Sequence, residues 1–210
     1  NEMATLTRLS AWDANIGNLT GLEFATSLKT LNLGDNNITD VSALSGLTNL
    51  QEVYLRYNNI TDVSALSGLT SLMELDLWDN NITDVSALSG LTSLIALDLR
   101  YNNITDVSAL SGLTSLRKLF LRSNNITDVS ALSGLTSLIE LFLGNNRISD
   151  LAPLVANAGL GSGDVVDVVR NPLSATSINT HIPDLQSRGV NVRFGASKPA
   201  VEILRGRWNR

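Results

Sequence analysis

The chain is 210 residues long, 43% hydrophobic and 17% charged, and it carries a net charge of −5 at pH 7. This composition is typical of a globular protein with a sizeable core and argues against a disordered chain. The negative charge argues against nucleic acid as the partner. The absence of cysteine excludes disulfides and thiolate sites, and no apolar run reaches the length of a membrane span.

The chain begins with an incomplete copy of a motif that recurs further along. Leu6, Leu9 and Ala11 occupy positions that later copies fill with leucine, and Ala14 stands where later copies have asparagine. The first unit of a stack has no neighbour on one side, so such units are usually irregular. We therefore predict an N-terminal capping repeat over residues 1–27.

Residues 28–156 consist of a 22-residue unit that is repeated almost without change. Its constant part, Asn-Asn-Ile-Thr-Asp-Val-Ser-Ala-Leu-Ser-Gly-Leu-Thr, begins at Asn36, Asn58, Asn80, Asn102 and Asn124, with a diverged copy at Asn145–Asn146. The pattern L-x-x-L-x-L-x-x-N overlaps the start of each copy. This pattern resembles the leucine-rich repeat, in which stacked units share one continuous core.

The pattern within one unit predicts its local structure. Around Leu75 and Leu77 apolar and polar residues alternate, which indicates a short strand with one face in the core. Asp84 precedes Val-Ser-Ala-Leu and is placed to cap a short 3₁₀ turn on the outer side. We predict an α/β solenoid, a leucine-rich repeat horseshoe with a concave parallel sheet and short 3₁₀ turns on the convex side.

Two polar positions recur in the units. The asparagine that ends the leucine pattern is expected to bond backbone groups in the turn, because buried polar groups need partners. The repeated aspartate supplies one carboxylate per unit without the spacing of a calcium loop, so we predict caps and no metal site. These aspartates are Asp40, Asp62, Asp84, Asp106 and Asp128. No cofactor is expected.

The C-terminal part departs from the repeat, and we predict a capping repeat with a helix over residues 157–194. An insertion of about three residues precedes a strand at Val166-Asp167-Val168. A helix is expected to open at Ser174 and to end at Gly189, before an edge strand over Val190–Phe194. The predicted apolar face of this helix is Ala175, Ile178, Ile182 and Leu185.

Three further features belong to this region. Pro183 lies inside the predicted helix and is expected to split it into two turns. His181, the single histidine, has no second histidine, cysteine or carboxylate cluster beside it in sequence, so we expect a surface position. Residues 195–210 fit no repeat and carry several basic side chains, which favours a basic tail or a linker.

The repeats resemble the 22-residue class found in bacterial internalins and in the SDS22-like proteins. The cap segments, residues 21–26 and 161–190, resemble those of bacterial multi-repeat proteins of environmental origin. The resemblance covers about residues 3–194. It implies a right-handed solenoid, extracellular or on the cell surface, that recognises proteins. Internalins start with a helical cap, whereas this chain starts with a truncated repeat, so a specific host receptor is not implied. The near identity of the units indicates either recent duplication or consensus engineering.

Three positions per unit change from copy to copy while the others stay constant. The first column, between the second and third leucines, is Asn32, Tyr54, Asp76, Asp98, Phe120 and Phe142. The second column, two residues later, is Gly34, Arg56, Trp78, Arg100, Arg122 and Gly144. The third column, which follows directly, is Asp35, Tyr57, Asp79, Tyr101, Ser123 and Asn145. Alternation predicts that the first two columns face solvent on the concave side, with the third at its edge.

Seven of the ten aromatic residues, Trp12 among them, lie at these positions. Aromatic residues and arginine are enriched at interface hot spots, whereas exposed rings add little to stability. We predict that a monomeric module binds a protein or peptide here. The predicted contact residues are Tyr54, Arg56, Tyr57, Asp76, Trp78, Asp98, Arg100, Tyr101, Phe120, Arg122 and Phe142.

Three other interpretations of these columns stay open. Rings beside carboxylates and arginines also suit a carbohydrate-binding module, and the rings could simply cover the sheet by pairing across strands. A third alternative is a structural spacer in a longer surface protein. We do not expect an enzyme, because no nucleophile–base pair, metal set or phosphate loop is recognisable. The glycine-rich segment Gly159–Gly163 lacks the Lys-Ser/Thr of a phosphate loop.

Overall fold

The computed structural model describes residues 2–195, so most of the predicted basic tail lies outside the described residues. Within that range nine short parallel strands form one sheet in sequence order. They are β1 (Arg8–Ser10), β2 (Thr30–Asn32), β3 (Glu52–Tyr54), β4 (Glu74–Asp76), β5 (Ala96–Asp98), β6 (Lys118–Phe120), β7 (Glu140–Phe142), β8 (Val165–Asp167) and β9 (Asn191–Arg193). This architecture confirms the predicted leucine-rich repeat horseshoe.

From β1 to β7 the strands pair at a constant offset of 22 residues, the length of one unit. Leu75 in β4 lies opposite Leu97 in β5, and both are fully buried. The middle residue of a strand faces the core, so its two neighbours point to the concave side. Between β7 and β8 the offset from Leu141 to Val166 is 25 residues, which confirms the insertion; β8 begins one residue earlier than predicted.

Short 3₁₀ turns line the convex side, and in five of them the repeated aspartate accepts the first backbone N–H of the turn. Their bounds in the repeats are Leu22–Phe24, Ser42–Leu44, Ser64–Leu66, Ser86–Leu88, Ser108–Gly112 and Ser130–Leu132, and a further one spans Glu2–Thr5. Asp84 Oδ1 accepts the backbone N–H of Ser86 at 2.8 Å. Hydrogen bonds from Ser86 hold the pKa of Asp84 below its ordinary value. The capping role predicted for these aspartates is confirmed.

Buried asparagines link each unit to the one before it. Asn102 Oδ1 accepts the backbone N–H of Ile82 at 2.9 Å, across the unit boundary. Its Nδ2 donates to the carbonyls of Leu77 at 3.0 Å and Leu99 at 3.1 Å. Equivalent bonds are made by Asn36, Asn58, Asn80, Asn124, Asn146 and Asn171. The structural role predicted for the asparagines that end the leucine pattern is therefore confirmed.

An α-helix replaces the 3₁₀ turn in the last regular unit, which the sequence pattern did not predict. This helix, α1, spans Ala152–Ala156 and carries a proline in its first turn, where the missing N–H costs no bond. Asn157 follows it, is fully buried, and donates to the carbonyls of Leu132 and Leu135. These bonds tie the inserted segment to the preceding unit.

Gly159 in this segment leaves no room for a side chain. A Cβ there would lie 1.9 Å from the carbonyl oxygen of Thr136, a backbone atom. We expect Gly159→Ala to lower the free energy of unfolding by about 2 kcal/mol, because one chain segment must move. Urea unfolding followed by circular dichroism measures this loss. Gly161→Ala is the control, since its nearest neighbour atom is 3.9 Å away; equal losses for both variants would contradict the steric explanation.

The C-terminal helix is continuous, so the prediction that Pro183 splits it is wrong. A π-helical turn over Ser177–His181 leads directly into α2, Ile182–Ser187. The wider turn accommodates a proline ring that would otherwise crowd the preceding turn of backbone. Gly189, with φ +87°, ends the helix as predicted, and β9 follows as the predicted edge strand.

The π turn also changes which residues face the core. Ile182 and Leu185 are buried as predicted, but Ser177 is buried with them while Ile178 is 42% exposed. The prediction that Ala175 and Ile178 belong to the apolar face is therefore wrong, because the wide turn rotates the first half of the helix. None of the helices in residues 2–195 is long and apolar enough to cross a membrane.

His181 is not the isolated surface residue that the sequence suggested. Its side chain is 15% exposed, and its Nδ1 lies 3.3 Å from Asp150 Oδ1 and 3.4 Å from Ser177 Oγ. Both contacts involve the same ring nitrogen, whereas a catalytic relay uses the two nitrogens separately. Ser177 Oγ also donates to the carbonyl of Ser149. The cluster fixes the cap helix to the last regular unit.

A candidate partner-binding surface on the concave face

Most of the first column is buried rather than solvent-exposed. Asp76, Asp98, Phe120 and Phe142 expose only 1%, 0%, 6% and 7% of their surface. The prediction of solvent exposure is wrong at these four positions because side chains of the same and neighbouring units lie against them. The guanidinium of Arg100, for example, sits 5.3 Å from the ring centre of Phe120.

Several polar residues of the first column have a structural role. Asp76 Oδ1 accepts the backbone N–H of Trp78 at 3.0 Å, and Asn32 accepts that of Gly34 at 3.2 Å. Asp98 Oδ1 likewise accepts the backbone N–H of Arg100 at 3.0 Å. This local turn holds the chain as it leaves the strand. The column therefore combines scaffold positions with the aromatic residues Tyr54, Phe120 and Phe142.

Asp76 and Asp98 form a buried acid pair on adjacent strands. Asp98 is bound by Arg100 through both carboxylate oxygens, whereas Asp76 Oδ2 has no partner in residues 2–195. Burial and the neighbouring charge of Asp98 raise the pKa of Asp76 to about 7. Burial also raises the pKa of Asp98, and the hydrogen bonds from Arg100 oppose that rise. The two carboxyl groups therefore bind protons at a higher pH than ordinary aspartates do.

Two second-column arginines are stacked on rings. The Arg56 guanidinium lies 4.5 Å from the centre of the Trp12 ring, and that of Arg100 lies 4.5 Å from Trp78. Trp12 occupies the space beside Gly34, where a Cβ would meet its ring at 2.3 Å. Stacking on a ring fixes the orientation of both guanidinium groups. The Arg100 guanidinium is held further by its ion pair with Asp98.

Four rings form a continuous line, which we call the aromatic row: Trp12, Tyr57, Trp78 and Tyr101. Their successive centres are 6.4, 4.7 and 6.3 Å apart. Trp12 and Tyr101 remain 38% and 47% exposed. Rings that merely covered the sheet would be buried by their contacts, as Phe120 and Phe142 are at 5.2 Å from each other. The aromatic row therefore keeps exposed ring surface at both of its ends.

The third column has a left-handed backbone in every unit. Tyr57 and Tyr101 have φ of 55° and 52°, a conformation that asparagine and aspartate adopt more readily than tyrosine. Asp35, Asp79 and Asn145 occupy the same position in other units with similar φ. The two tyrosines are thus placed where the scaffold favours a different residue type.

The structure adds two variable columns that the sequence analysis missed. The fourth column begins the strands and faces the concave side: Thr30, Glu52, Glu74, Ala96, Lys118 and Glu140. The fifth column precedes it: Lys29, Gln51, Met73, Ile95, Arg117 and Ile139. Met73 and Ile95 expose 37% and 41% of their surface. The same variation between units that revealed the first three columns would have revealed these.

Comparison with known proteins places this geometry in context. The family described as "Leucine rich repeat" matches residues 70–126. The family described as "Leucine Rich repeats (2 copies)" matches residues 26–68, 48–90 and 114–156. A comparison with curated proteins gave no match.

The chain is also similar to individual proteins of known structure. Internalin C2 of Listeria monocytogenes is 34% identical, with a TM-score of 0.82 over 92% of this chain and 82% of that one. A second Listeria monocytogenes internalin is 29% identical, with a TM-score of 0.66 over 94% and 70%. The plant peptide hormone receptor RGFR1, solved in complex with RGF2, is 25% identical, with a TM-score of 0.67 over 83% of this chain and 29% of that one.

Proposed function

Because the chain belongs to the leucine-rich repeat family and is similar to bacterial internalins, we propose that it binds a protein or peptide on its concave face. The aromatic row is the centre of the proposed contact, and the variable columns around it determine specificity. The resemblance to internalins supports an extracellular or cell-surface location. The plant receptor solved with its ligand shows that a relative of this fold holds another molecule.

The observation that carries the proposal is the conflict between the tyrosines and their backbone. A left-handed residue with a large side chain costs about 1 kcal/mol or more, and Tyr101 recovers little of this through burial because it is 47% exposed. Stability alone therefore favours aspartate or asparagine there. A residue kept against the preference of the scaffold is best explained by contact with a partner.

The dimensions of the aromatic row suit a macromolecule. Trp12 follows β1 and Tyr101 follows β5, and parallel strands lie about 4.8 Å apart. The row is therefore on the order of 20 Å long, which matches an extended peptide or the surface of a folded protein. Rigid rings that are already in contact with each other lose little conformational entropy on binding.

Tyr101→Asn is expected to raise the free energy of unfolding by about 1 kcal/mol, because asparagine tolerates the left-handed backbone better. Thermal and urea unfolding of the purified protein measure this gain. Asp79→Asn is the control, since both residue types fit the same conformation one unit earlier, and it should change stability little. A loss of stability in Tyr101→Asn would show that the ring serves the fold.

Binding is tested by selecting a random peptide display library on the immobilised protein. We expect enriched peptides whose affinity falls on the order of thirtyfold for the double variant Tyr57→Asn/Tyr101→Asn, as for a hot spot. The double variant keeps a residue type that other units use at this position, so folding is preserved. No enrichment, or equal affinity for both proteins, would contradict the proposal. Binding on a glycan array without any peptide enrichment would favour the carbohydrate alternative.

A further inference from the structure

The sixth repeat carries a cluster of positive charge at its strand. Arg117, Lys118 and Arg122 occupy the fifth, fourth and second columns of this one unit. The fourth column carries glutamate on β3, β4 and β7 instead. The concave face is therefore acidic along β3 and β4 and basic along β6. A partner that docks along the aromatic row also meets this change of sign.

Arg122 differs from the other two second-column arginines in having no internal partner. Arg56 is stacked on Trp12, and Arg100 is held by Asp98 and Trp78. Within residues 2–195 the side chain of Arg122 makes no hydrogen bond, ion pair or ring stacking, and its Nε is buried without an acceptor. A buried donor without a partner costs free energy. Arg122 is therefore prepared to receive an acceptor from outside the chain.

The distribution of unsatisfied groups supports the same conclusion. In the described part of the chain, the buried side-chain polar atoms without a partner are Asp76 Oδ2, Trp78 Nε1 and Arg122 Nε. All three lie in the first and second columns of β4 and β6. Two of the three are donors, and both therefore require an acceptor. Buried polar groups in native proteins are nearly always satisfied by protein, water or ligand, so these positions are ones where the concave face can accept polar atoms of a bound molecule.

The surroundings leave the Arg122 guanidinium accessible to a carboxylate. The next unit has Gly144 in the second column, so that unit places no second-column side chain beside Arg122. A Cβ at Gly144 would lie 3.0 Å from Asp167 Oδ1 and from Val169 Cγ2, so a larger residue there requires these two side chains to move. Lys118 is 3.8 Å from Glu140 and its side chain remains 40% exposed, so this exposed pair neutralises little of the local field.

We propose that Arg122, supported by Lys118 and Arg117, binds an acidic residue of the partner peptide and so determines specificity. This inference rests on the proposed function, because it names the chemistry of one contact within the same surface. Arginine binds carboxylates through two parallel hydrogen bonds, which fix both position and direction. The acid of the partner then lies one strand beyond the end of the aromatic row, toward β6.

The test uses peptides selected on the full-length protein by display. We expect the enriched sequences to share an aspartate or glutamate at a fixed distance from their apolar residues. Synthetic versions, amidated at the carboxyl terminus, should bind Arg122→Gln at least tenfold more weakly than the unchanged protein. Arg122→Lys should lie between the two, because it keeps the charge and loses the bidentate geometry. Thermal unfolding verifies that each variant is folded.

Arg147→Gln is the matched control, because Arg147 is exposed and lies outside the five columns. Replacing the acid of the peptide by its amide should remove the difference between the unchanged protein and Arg122→Gln. If selected peptides require the aromatic row yet bind Arg122→Gln equally well, this inference is wrong and the proposed function stands. If binding is independent of the aromatic row, the proposed function itself fails. Binding of the selected peptides with a free carboxyl terminus, but not of their amidated forms, would instead assign Arg122 to a terminal carboxylate.

Discussion

Asn102→Ala is expected to lower the free energy of unfolding by about 4 kcal/mol, since it leaves several buried backbone groups without partners. The side-chain oxygen of Asn102 accepts a hydrogen bond from the N–H of Ile82, and its side-chain nitrogen donates to the carbonyls of Leu77 and Leu99. Alanine replaces none of these bonds, and the space it leaves is too enclosed for ready access of bulk water. Urea unfolding monitored by circular dichroism gives the loss directly.

The neighbouring residue provides the control. Asn103 is chemically identical and adjacent in the chain, but it is exposed. Asn103→Ala should change the free energy of unfolding by no more than about 0.5 kcal/mol. Similar losses in the two variants would mean that side-chain hydrogen bonds between units contribute little, and that apolar packing alone holds the stack together.

Asp76→Asn is expected to stabilise the protein by about 3 kcal/mol above pH 7, because it removes the cost of a second buried negative charge. Burial and the charge of Asp98 raise the pKa of Asp76 to about 7, against an ordinary value of 3.8. Asparagine occupies the equivalent position in β2, where Asn32 makes the same local turn. The substitution therefore preserves the backbone and changes only the charge.

The sign of the pH dependence follows from the raised pKa. The folded state holds the Asp76 proton more tightly than the unfolded state, so folding is favoured most at pH values below about 4. Between about pH 4 and pH 7 the folded state keeps a proton that the unfolded state has released, and stability falls as pH rises. Above pH 7 both states are ionised and this contribution is fully lost.

Urea unfolding at intervals from pH 5 to pH 8 measures this slope. The unchanged protein should lose stability across the range, and Asp76→Asn should lose much less. Asp79→Asn, an exposed change in the same unit, should keep the slope of the unchanged protein. A slope unaffected by Asp76→Asn would show that the acid pair is ionised throughout, with Arg56 and Arg100 compensating both charges.

The scaffold could be predicted because its determinants lie within one 22-residue unit. Asp84 acts within its own unit, Leu75 packs in register with the equivalent residues of the adjacent strands, and Asn102 bonds its own unit and the one before it. Because the units repeat almost without change, the pattern of one unit also predicts these neighbours. The burial of Asp98 and Phe120 could not be predicted in the same way. Their burial depends on Arg100, whose guanidinium stacks on the rings of Trp78 and Phe120 in the two neighbouring units. These three residues belong to the variable columns, so the pattern of a single unit does not predict the contacts.

The candidate site shows the same division between local and non-local information. Variation between units identified the residues of the aromatic row before their contacts were known. It did not distinguish Tyr101, which is open to solvent, from Phe142, which is covered by Phe120. Nor could it show that Arg122 is unpaired, because pairing depends on side-chain directions across three strands. The π turn before Pro183 was missed because sequence patterns assume one helical period throughout.

The asparagine bonds have a consequence for how such a molecule can evolve. The bonds of Asn80 and Asn102 remain within their own unit or reach the preceding one. Insertion or loss of one whole unit by recombination between the near-identical copies therefore recreates the same bonds at the new junction. The gene can lengthen or shorten its recognition face one strand at a time without passing through an unfolded product, and each new strand brings five variable columns on which selection can act.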